Sequence, residues 1–219
     1  MPWFYRVAKV LVTILLLLLM RWQVKGRENL PRQGPLLVVA NHIQLPDVPL
    51  LGVSLDRRLI FLAKENLFRY PILSYAVRLF GAIRVRRGKP VRTALREAER
   101  VLAEGLALVM FPEGTRSKNA QLRPAFPGAA LIAQRSGAPI LPVAITGTER
   151  IKGITWFLRR PQITVNIGHP FRLPPMNGKL TKTELVELTN LIMARIGELL
   201  PVEYRGHYAG QGKSDEIKG

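Results

Sequence analysis

The chain has 219 residues, no cysteine, and 33 Lys and Arg against 15 Asp and Glu, for a formal net charge of +18. That length accommodates one sizeable domain with its own core, and the absence of cysteine excludes thiol nucleophiles, thiolate metal sites and acyl-cysteine intermediates. The charge favours an anionic partner without choosing among nucleic acid, lipid headgroups and an acidic carrier protein.

The first predicted element is apolar. Residues 10–20 read VLVTILLLLLM, with Arg6 and Lys9 before them and Arg21 after. This run is shorter than the roughly 20 residues a spanning helix uses. A basic start and a short apolar run also fit a secretory leader, but Arg21-Trp22-Gln23-Val24-Lys25 follows with no small-residue cleavage site. Trp3, Phe4, Tyr5 and Trp22 bracket the run, as amphipathic rings do at lipid–water boundaries, and Arg6 and Lys9 can snorkel. Residues 1–23 are therefore expected to form a membrane-anchoring helix, tilted or half-inserted. Residues 24–204 form one expected domain, and 205–219 a polar flexible tail.

Within the domain, Leu36–Ala40 is a short apolar run after Gly34-Pro35, which predicts a buried strand, and Leu59–Ala63 is another. Val91–Glu104 carries Ala94, Leu95, Ala98, Val101 and Leu102 at helical spacing, with Gly105 suited to end it. Leu106–Phe111 reads as a strand stopping at Pro112, Gly128–Ser136 as a helix ending at Gly137, and Ile140–Ile145 and Ile163–Ile167 as strands. Thr181 and Glu184 form a capping box for a last helix whose apolar face is Leu185, Leu188, Ile192, Ile196 and Leu199. Strands alternating with helices, several strands apolar throughout, predict an α/β domain built on a mixed, largely buried sheet flanked by helices.

The unusual residues lie in three segments at strand ends, where open α/β sheets bind ligands. In Asn41-His42-Ile43-Gln44-Leu45-Pro46-Asp47, a histidine suits removal of a proton from an alcohol. A carboxylate on its other nitrogen fixes the tautomer. Taken alone, Asp47 equally suits a helix cap before Val48-Pro49, and His42 a turn histidine. Phe111-Pro112-Glu113-Gly114-Thr115-Arg116-Ser117 packs a carboxylate, a glycine, two hydroxyls and an arginine into one loop. Gly114 lets backbone approach a ligand and Arg116 can grip a phosphate; a surface turn with a structural Glu113–Arg116 pair fits as well. In Gly81-Ala82-Ile83-Arg84-Val85-Arg86-Arg87, alternation puts Arg87 on the side of Ile83 and Val85. There it either meets a phosphate or emerges into solvent past the strand end.

Together these segments resemble the lysophosphatidic acid and glycerol-3-phosphate acyltransferase family. The family signature is a His, four residues, Asp block; a Gly-x-Ile-x-Val-x-Arg block; a Phe-Pro-Glu-Gly-Thr-Arg-Ser block; and a Val/Leu-Pro-Val block, here Ile140-Leu141-Pro142-Val143. All four occur in family order between about Val24 and Ile167. The resemblance implies the glycerolipid acyltransferase fold. It also implies His42 as catalytic base, Asp47 as its orienting acid, and Lys64, Arg87, Glu113, Gly114, Thr115 and Arg116 around a glycerol-phosphate site. Two positions depart from the family pattern: Gln44 stands where a Ser is common, and Phe126-Pro127 where a Lys is common.

The expected activity is transfer of a fatty acyl chain from acyl-CoA or acyl carrier protein to the sn-2 hydroxyl of 1-acyl-glycerol 3-phosphate. Glycerol 3-phosphate and other lysophospholipids or aminolipids are the alternative acceptors. No metal or cofactor is expected. The expected partners are membrane lipids and an anionic bilayer surface, with the domain on the cytoplasmic face of the cell membrane. A lipid-headgroup binder without catalysis is the rival reading. Nucleic-acid binding is disfavoured by the apolar N-terminus and the scarcity of aromatics elsewhere.

Overall fold

The computed structural model describes residues 3–64, 83–85, 91–176 and 180–210. The apolar runs form strands β1 (Arg21–Lys25), β2 (Leu36–Ala40), β3 (Leu59–Lys64), β4 (Ile83–Val85), β5 (Ala107–Met110), β6 (Ile140–Thr146) and β7 (Gln162–Ile167). They pair in the order β1-β7-β6-β2-β5-β3-β4. β2 to β6 run parallel to their neighbours, while β7 is antiparallel to β6 and carries β1 parallel to itself. The parallel arrangement puts the C-terminal ends of β2, β3, β4, β5 and β6 along one edge of the sheet. The segments that follow β2 and β5 emerge there, while of residues 81–87 only Ile83–Val85 is among the described residues.

Side chains alternate across the sheet, so each strand feeds two cores. Leu37, Val39, Leu108, Ile140 and Ala144 pack against α3 (Val91–Ala103), α4 (Gly128–Ser136) and α5 (Lys182–Glu198). Leu36, Val38, Ala40, Val109, Leu141 and Val143 pack on the opposite face against Leu51 of α2 (Asp47–Ser54) and Leu55 just after it. β2 lies between both layers, which is why all five of its residues are apolar and inaccessible. The expected capping box starts α5: Glu184 N–H donates to Thr181 Oγ1 at 3.2 Å, and Thr181 N–H to Glu184 Oε2 at 2.7 Å.

The N-terminal helix α1 (Trp3–Leu19) is shorter than the expected anchor of residues 1–23. The chain leaves it where Arg21–Lys25 pairs residue for residue with Gln162–Asn166 of β7, which satisfies the backbone groups of this segment across the sheet. Leu16 and Met20 bury against Leu50, Val53 and Ile163. Among the described residues no helix is long and apolar enough to cross a membrane. The C-terminal tail also departs from expectation, since it begins docked. Tyr208 is buried, its hydroxyl accepts the Ala125 N–H at 3.2 Å, and His207 N–H donates to Leu122 O at 3.1 Å.

One buried cation ties the substructures together. The Arg57 guanidinium donates to the carbonyls of Pro31, Gln33, Gly34 and Gly105 at 2.9, 3.4, 2.6 and 3.3 Å. It joins the loop before β2 to the turn before β5, fixing the two strands that carry the site loops. Arg57→Met keeps the apolar stem and leaves these carbonyls without their donor. At about 1–3 kcal/mol per buried group stranded, it is expected to cost at least ~2 kcal/mol, a fall in Tm of roughly 5 °C or more. An unchanged melting curve contradicts this role.

Candidate active site

Where β2 ends, Asn41 extends the ladder with its side chain. Its Nδ2–H donates to Ile145 O at 2.8 Å, and its Oδ1 accepts the Ile145 N–H at 2.7 Å. The amide thus replaces a peptide group and holds the chain against β6 as it turns out of the sheet. His42 follows directly.

The His42 ring meets Asp47 across the turn, with Nδ1 to Oδ2 at 2.8 Å. Asp47 is the first residue of α2, yet its carboxylate caps nothing ahead of it: it folds back to accept the N–H groups of Ile43 and Gln44 at 2.7 and 2.8 Å. The side chain is 0% exposed, whereas that of His42 is 15% exposed. Two main-chain N–H groups already donate to Oδ2, and the tautomer with its proton on Nδ1 is the one that makes the third contact a hydrogen bond and leaves the Nε2 lone pair free. Asp47 Oδ1 is buried with no hydrogen-bond partner among the described residues. The negative charge is therefore under-satisfied while the ring is neutral, and gains a full counter-charge when the ring is protonated. Asp47 Oδ2 is thus spent on the His42 ring and on the N–H groups of Ile43 and Gln44, the N-terminal side of α2, rather than on a cap of the helix itself.

The loop after β5 wraps the same histidine. Phe111 stacks on the imidazole, ring centroids 4.1 Å apart and planes 19° apart. Glu113 Oε1 accepts the His42 N–H at 3.0 Å, Glu113 Oε2 accepts the Arg123 N–H at 3.0 Å, and Ser117 N–H donates to His42 O at 2.7 Å. Both main-chain groups of His42 and its ring are thereby held by one loop. Glu113 is only 2% exposed. Burial pushes its carboxyl up to about 7, against the opposing pull of the His42 and Arg123 N–H groups. The Glu113–Arg116 pair considered from the sequence is not formed: Glu113 faces main chain, and Arg116 points outward, exposed and without an ion-pair partner among the described residues.

Gly114 makes the sharp corner with φ 67°, and a Cβ there would meet the Phe126 ring at 2.9 Å. Phe126, which departs from the lysine common in the family pattern near this position, thus forms a wall of the turn. The Gly114 N–H donates to Phe111 O at 3.0 Å. Thr115 and Arg116 are exposed on the same corner, immediately before Ser117, whose N–H holds His42 O. Lys64 ends β3, where it registers with Val85 of β4; Arg87 lies outside the described residues. The structure thus brings together His42, Asp47, Glu113, Gly114, Thr115 and Arg116.

Asn41, Phe111, Ser117 and Tyr208 were not anticipated. Their signals are weak because each acts through a contact with a distant segment: Asn41 with Ile145, Tyr208 with Ala125.

Comparison with known proteins gives the same region. A family model described as Acyltransferase matches residues 21–146. The chain is 31% identical over 169 residues to a chloroplastic 1-acyl-sn-glycerol-3-phosphate acyltransferase of Brassica napus, covering 75% of this chain and 49% of that protein. It is 28% identical to the 1-acyl-sn-glycerol-3-phosphate acyltransferase of Bacillus subtilis, covering 81% of this chain and 87% of that protein. The chain spans about half the length of the plant relatives, 49% and 47% for those of Brassica napus and Arabidopsis thaliana. The crystal structure of the 1-acyl-sn-glycerophosphate acyltransferase PlsC from Thermotoga maritima aligns with a TM-score of 0.69 at 27% identity, covering 89% of this chain and 78% of that one. With the matched family model spanning β1 to β6 and both loops around His42, the chain belongs to the acyltransferase family.

Proposed function

We propose that the chain transfers a fatty acyl group from acyl-CoA or acyl carrier protein to the sn-2 hydroxyl of 1-acyl-glycerol 3-phosphate, giving phosphatidic acid for phospholipid synthesis. The observation that carries this reading is the 2.8 Å contact between His42 Nδ1 and a buried, anchored Asp47 carboxylate. It leaves Nε2 as a base with a fixed direction.

In this reaction Nε2 takes the hydroxyl proton as the oxygen attacks the thioester carbonyl. The imidazolium so formed lies beside the under-satisfied Asp47 charge. The pair is therefore stabilised more in the transition state than in the resting state, which is what accelerates a reaction. Collapse of the tetrahedral species breaks the carbon–sulfur bond, and the thiolate takes the proton back from Nε2. No protein thiol or covalent acyl-enzyme is needed. Arg116, with Arg87 and Lys64, grips the acceptor phosphate, while Gly114 and Thr115 shape the corner it enters and Glu113 supports that corner from beneath. Holding both ends of the acceptor is worth up to roughly 7–11 kcal/mol when alignment is ideal.

A membrane setting is part of the proposal. α1 carries Val7, Val10, Leu11, Ile14, Leu15 and Leu18 on its outer side, all exposed, at the three- and four-residue spacing of one helical face. Such a face suits a helix lying within a lipid interface. The excess of Lys and Arg favours the cytoplasmic face of the cell membrane.

His42→Ala is expected to lower turnover by roughly 10^2–10^4-fold. Asp47→Asn, which permits the wrong tautomer, should lower it by about 10^3-fold or more. Both are measured as phosphatidic acid formed from labelled donor by folded protein, and near-normal turnover in either variant removes the pair from the mechanism. Arg116→Ala is expected to raise the KM for 1-acyl-glycerol 3-phosphate by roughly tenfold or more, the worth of a charged hydrogen bond, with a smaller effect on the donor KM. Equal effects on both substrates contradict a phosphate-gripping role.

Glu113 supplies a test in pH. Because its folded value of about 7 lies above the ordinary 4.5, the folded protein retains that proton longer than the unfolded chain. Stability is then lost as pH rises through this window. In Glu113→Gln this loss, roughly 2–3 kcal/mol between pH 4.5 and 7.5, should disappear from denaturant melts at the two values. Identical pH slopes for the two proteins contradict the assignment.

A further inference from the structure

The turn between β6 and β7 exposes apolar side chains that no part of the fold covers and that the proposed chemistry does not use. Ile154 is 90% exposed, Leu158 71% and Phe157 41%. Between Arg150 and Arg160 the sequence is RIKGITWFLRR, with no acidic residue. Lys152, Arg159 and Arg160 are exposed around the three apolar side chains. The preceding Glu149 is already engaged by Tyr204 Oη–H at 2.9 Å and Gly147 N–H at 3.0 Å.

The turn is held in this presentation rather than hanging loose. Trp156 packs inward with Leu16, Met20 and Ile163, and Phe157 stands edge-on to it at 6.4 Å. Arg160 donates from Nη2 to Leu17 O at 2.7 Å, the last turn of α1, and Pro161 O accepts the Arg21 N–H at 3.0 Å. Arg160 does this with φ 42°, one of two non-glycine positive φ values among the described residues. A left-handed arginine is a local cost that the surrounding contacts sustain. The turn thus sits against the C-terminal end of α1, where Leu17 and Leu18 are also exposed.

Resting on the membrane reading above, we propose that residues 150–160 form a second membrane-contact element. Ile154, Phe157 and Leu158 enter the acyl boundary of an anionic bilayer beside α1, while Lys152, Arg159 and Arg160 meet lipid phosphates. Charge decides the occupant. Apolar tips ringed by cations without one acid match a lipid surface, whose interior takes the tips and whose headgroups take the cations. A second copy of this chain, itself at +18, brings like charge to the same face. Two attachments also suit a helix too short to span, because stable interfacial anchoring takes more than one signal.

The chain has no cysteine, so Ile154→Cys accepts a single polarity-sensitive fluorophore in this 219-residue chain. Adding phosphatidylglycerol vesicles is expected to shift its emission to the blue and shield it from an aqueous quencher. Phosphatidylcholine vesicles should do so more weakly. The same label at Val186→Cys, on α5 across the sheet, should stay in water. An Ile154→Ser, Phe157→Ser, Leu158→Ser triple variant is expected to bind phosphatidylglycerol vesicles at least ~tenfold more weakly while retaining turnover of detergent-dispersed acceptor. A label at 154 that stays aqueous with the protein vesicle-bound, or a triple variant that binds as the unmodified chain does, overturns the proposal. Failure of the unmodified chain to bind vesicles overturns it together with the membrane reading. The detergent assay alone reports on the acyl transfer.

Discussion

A carboxylate shut away from water, taking three hydrogen bonds on one oxygen and, among the described residues, none on the other, is the constraint around which this site is built. Burying such a charge is costly unless it is paired. The fold provides main-chain donors from Ile43 and Gln44 and one imidazole, which together fix where the anion sits. The imidazole in turn has only one nitrogen left for chemistry. Within the proposed mechanism the direction of proton transfer follows from how Asp47 is buried, with α2 beginning at that residue to hold it there.

The second loop serves this arrangement more than it adds to it. Glu113 and Ser117 hold the N–H and C=O of His42, and Phe111 fixes the ring plane. Arg123 and Phe126 are drawn to the same loop by Glu113 Oε2 and Pro112 O, and Tyr208 and Tyr204 lock its far end. In the proposed reaction the labour divides by exposure: buried groups orient the base, and the exposed corner of Gly114, Thr115 and Arg116 is available to the acceptor. Within the proposed mechanism, a buried glutamate next to a buried aspartate keeps like charges near one another, and burial of Glu113 is what moves its proton affinity towards neutral.

Much of this was legible in the residues. β2 could be read because a strand covered on both faces must be apolar throughout, and Leu36–Ala40 is. His42 and Asp47 could be paired because their spacing closes a turn within one segment. The capping box of Thr181 and Glu184 is equally local. β1 escaped notice because its alternation of Arg21, Gln23 and Lys25 with Trp22 and Val24 resembles the charged flank of an anchor helix, and only β7 makes it a strand. The bracing role of Glu113 was hidden for the same reason: its partners are main-chain groups of His42 and Arg123, and main-chain groups leave no mark in a sequence. Tyr208 lay in a Gly-rich polar stretch, where composition suggested fraying and the long-range contacts of Tyr208 with Ala125 and of His207 with Leu122 decided otherwise.

What the mechanism requires above all is that the resting imidazole carry its proton on the nitrogen facing Asp47. Nitrogen-15 NMR of the histidine-labelled protein, with His42 assigned by its loss in His42→Ala, reads this tautomer directly. The account expects a neutral ring protonated at Nδ1 with an unprotonated Nε2. A ring protonated at Nε2 instead, with Nδ1 bare beside the carboxylate, contradicts it.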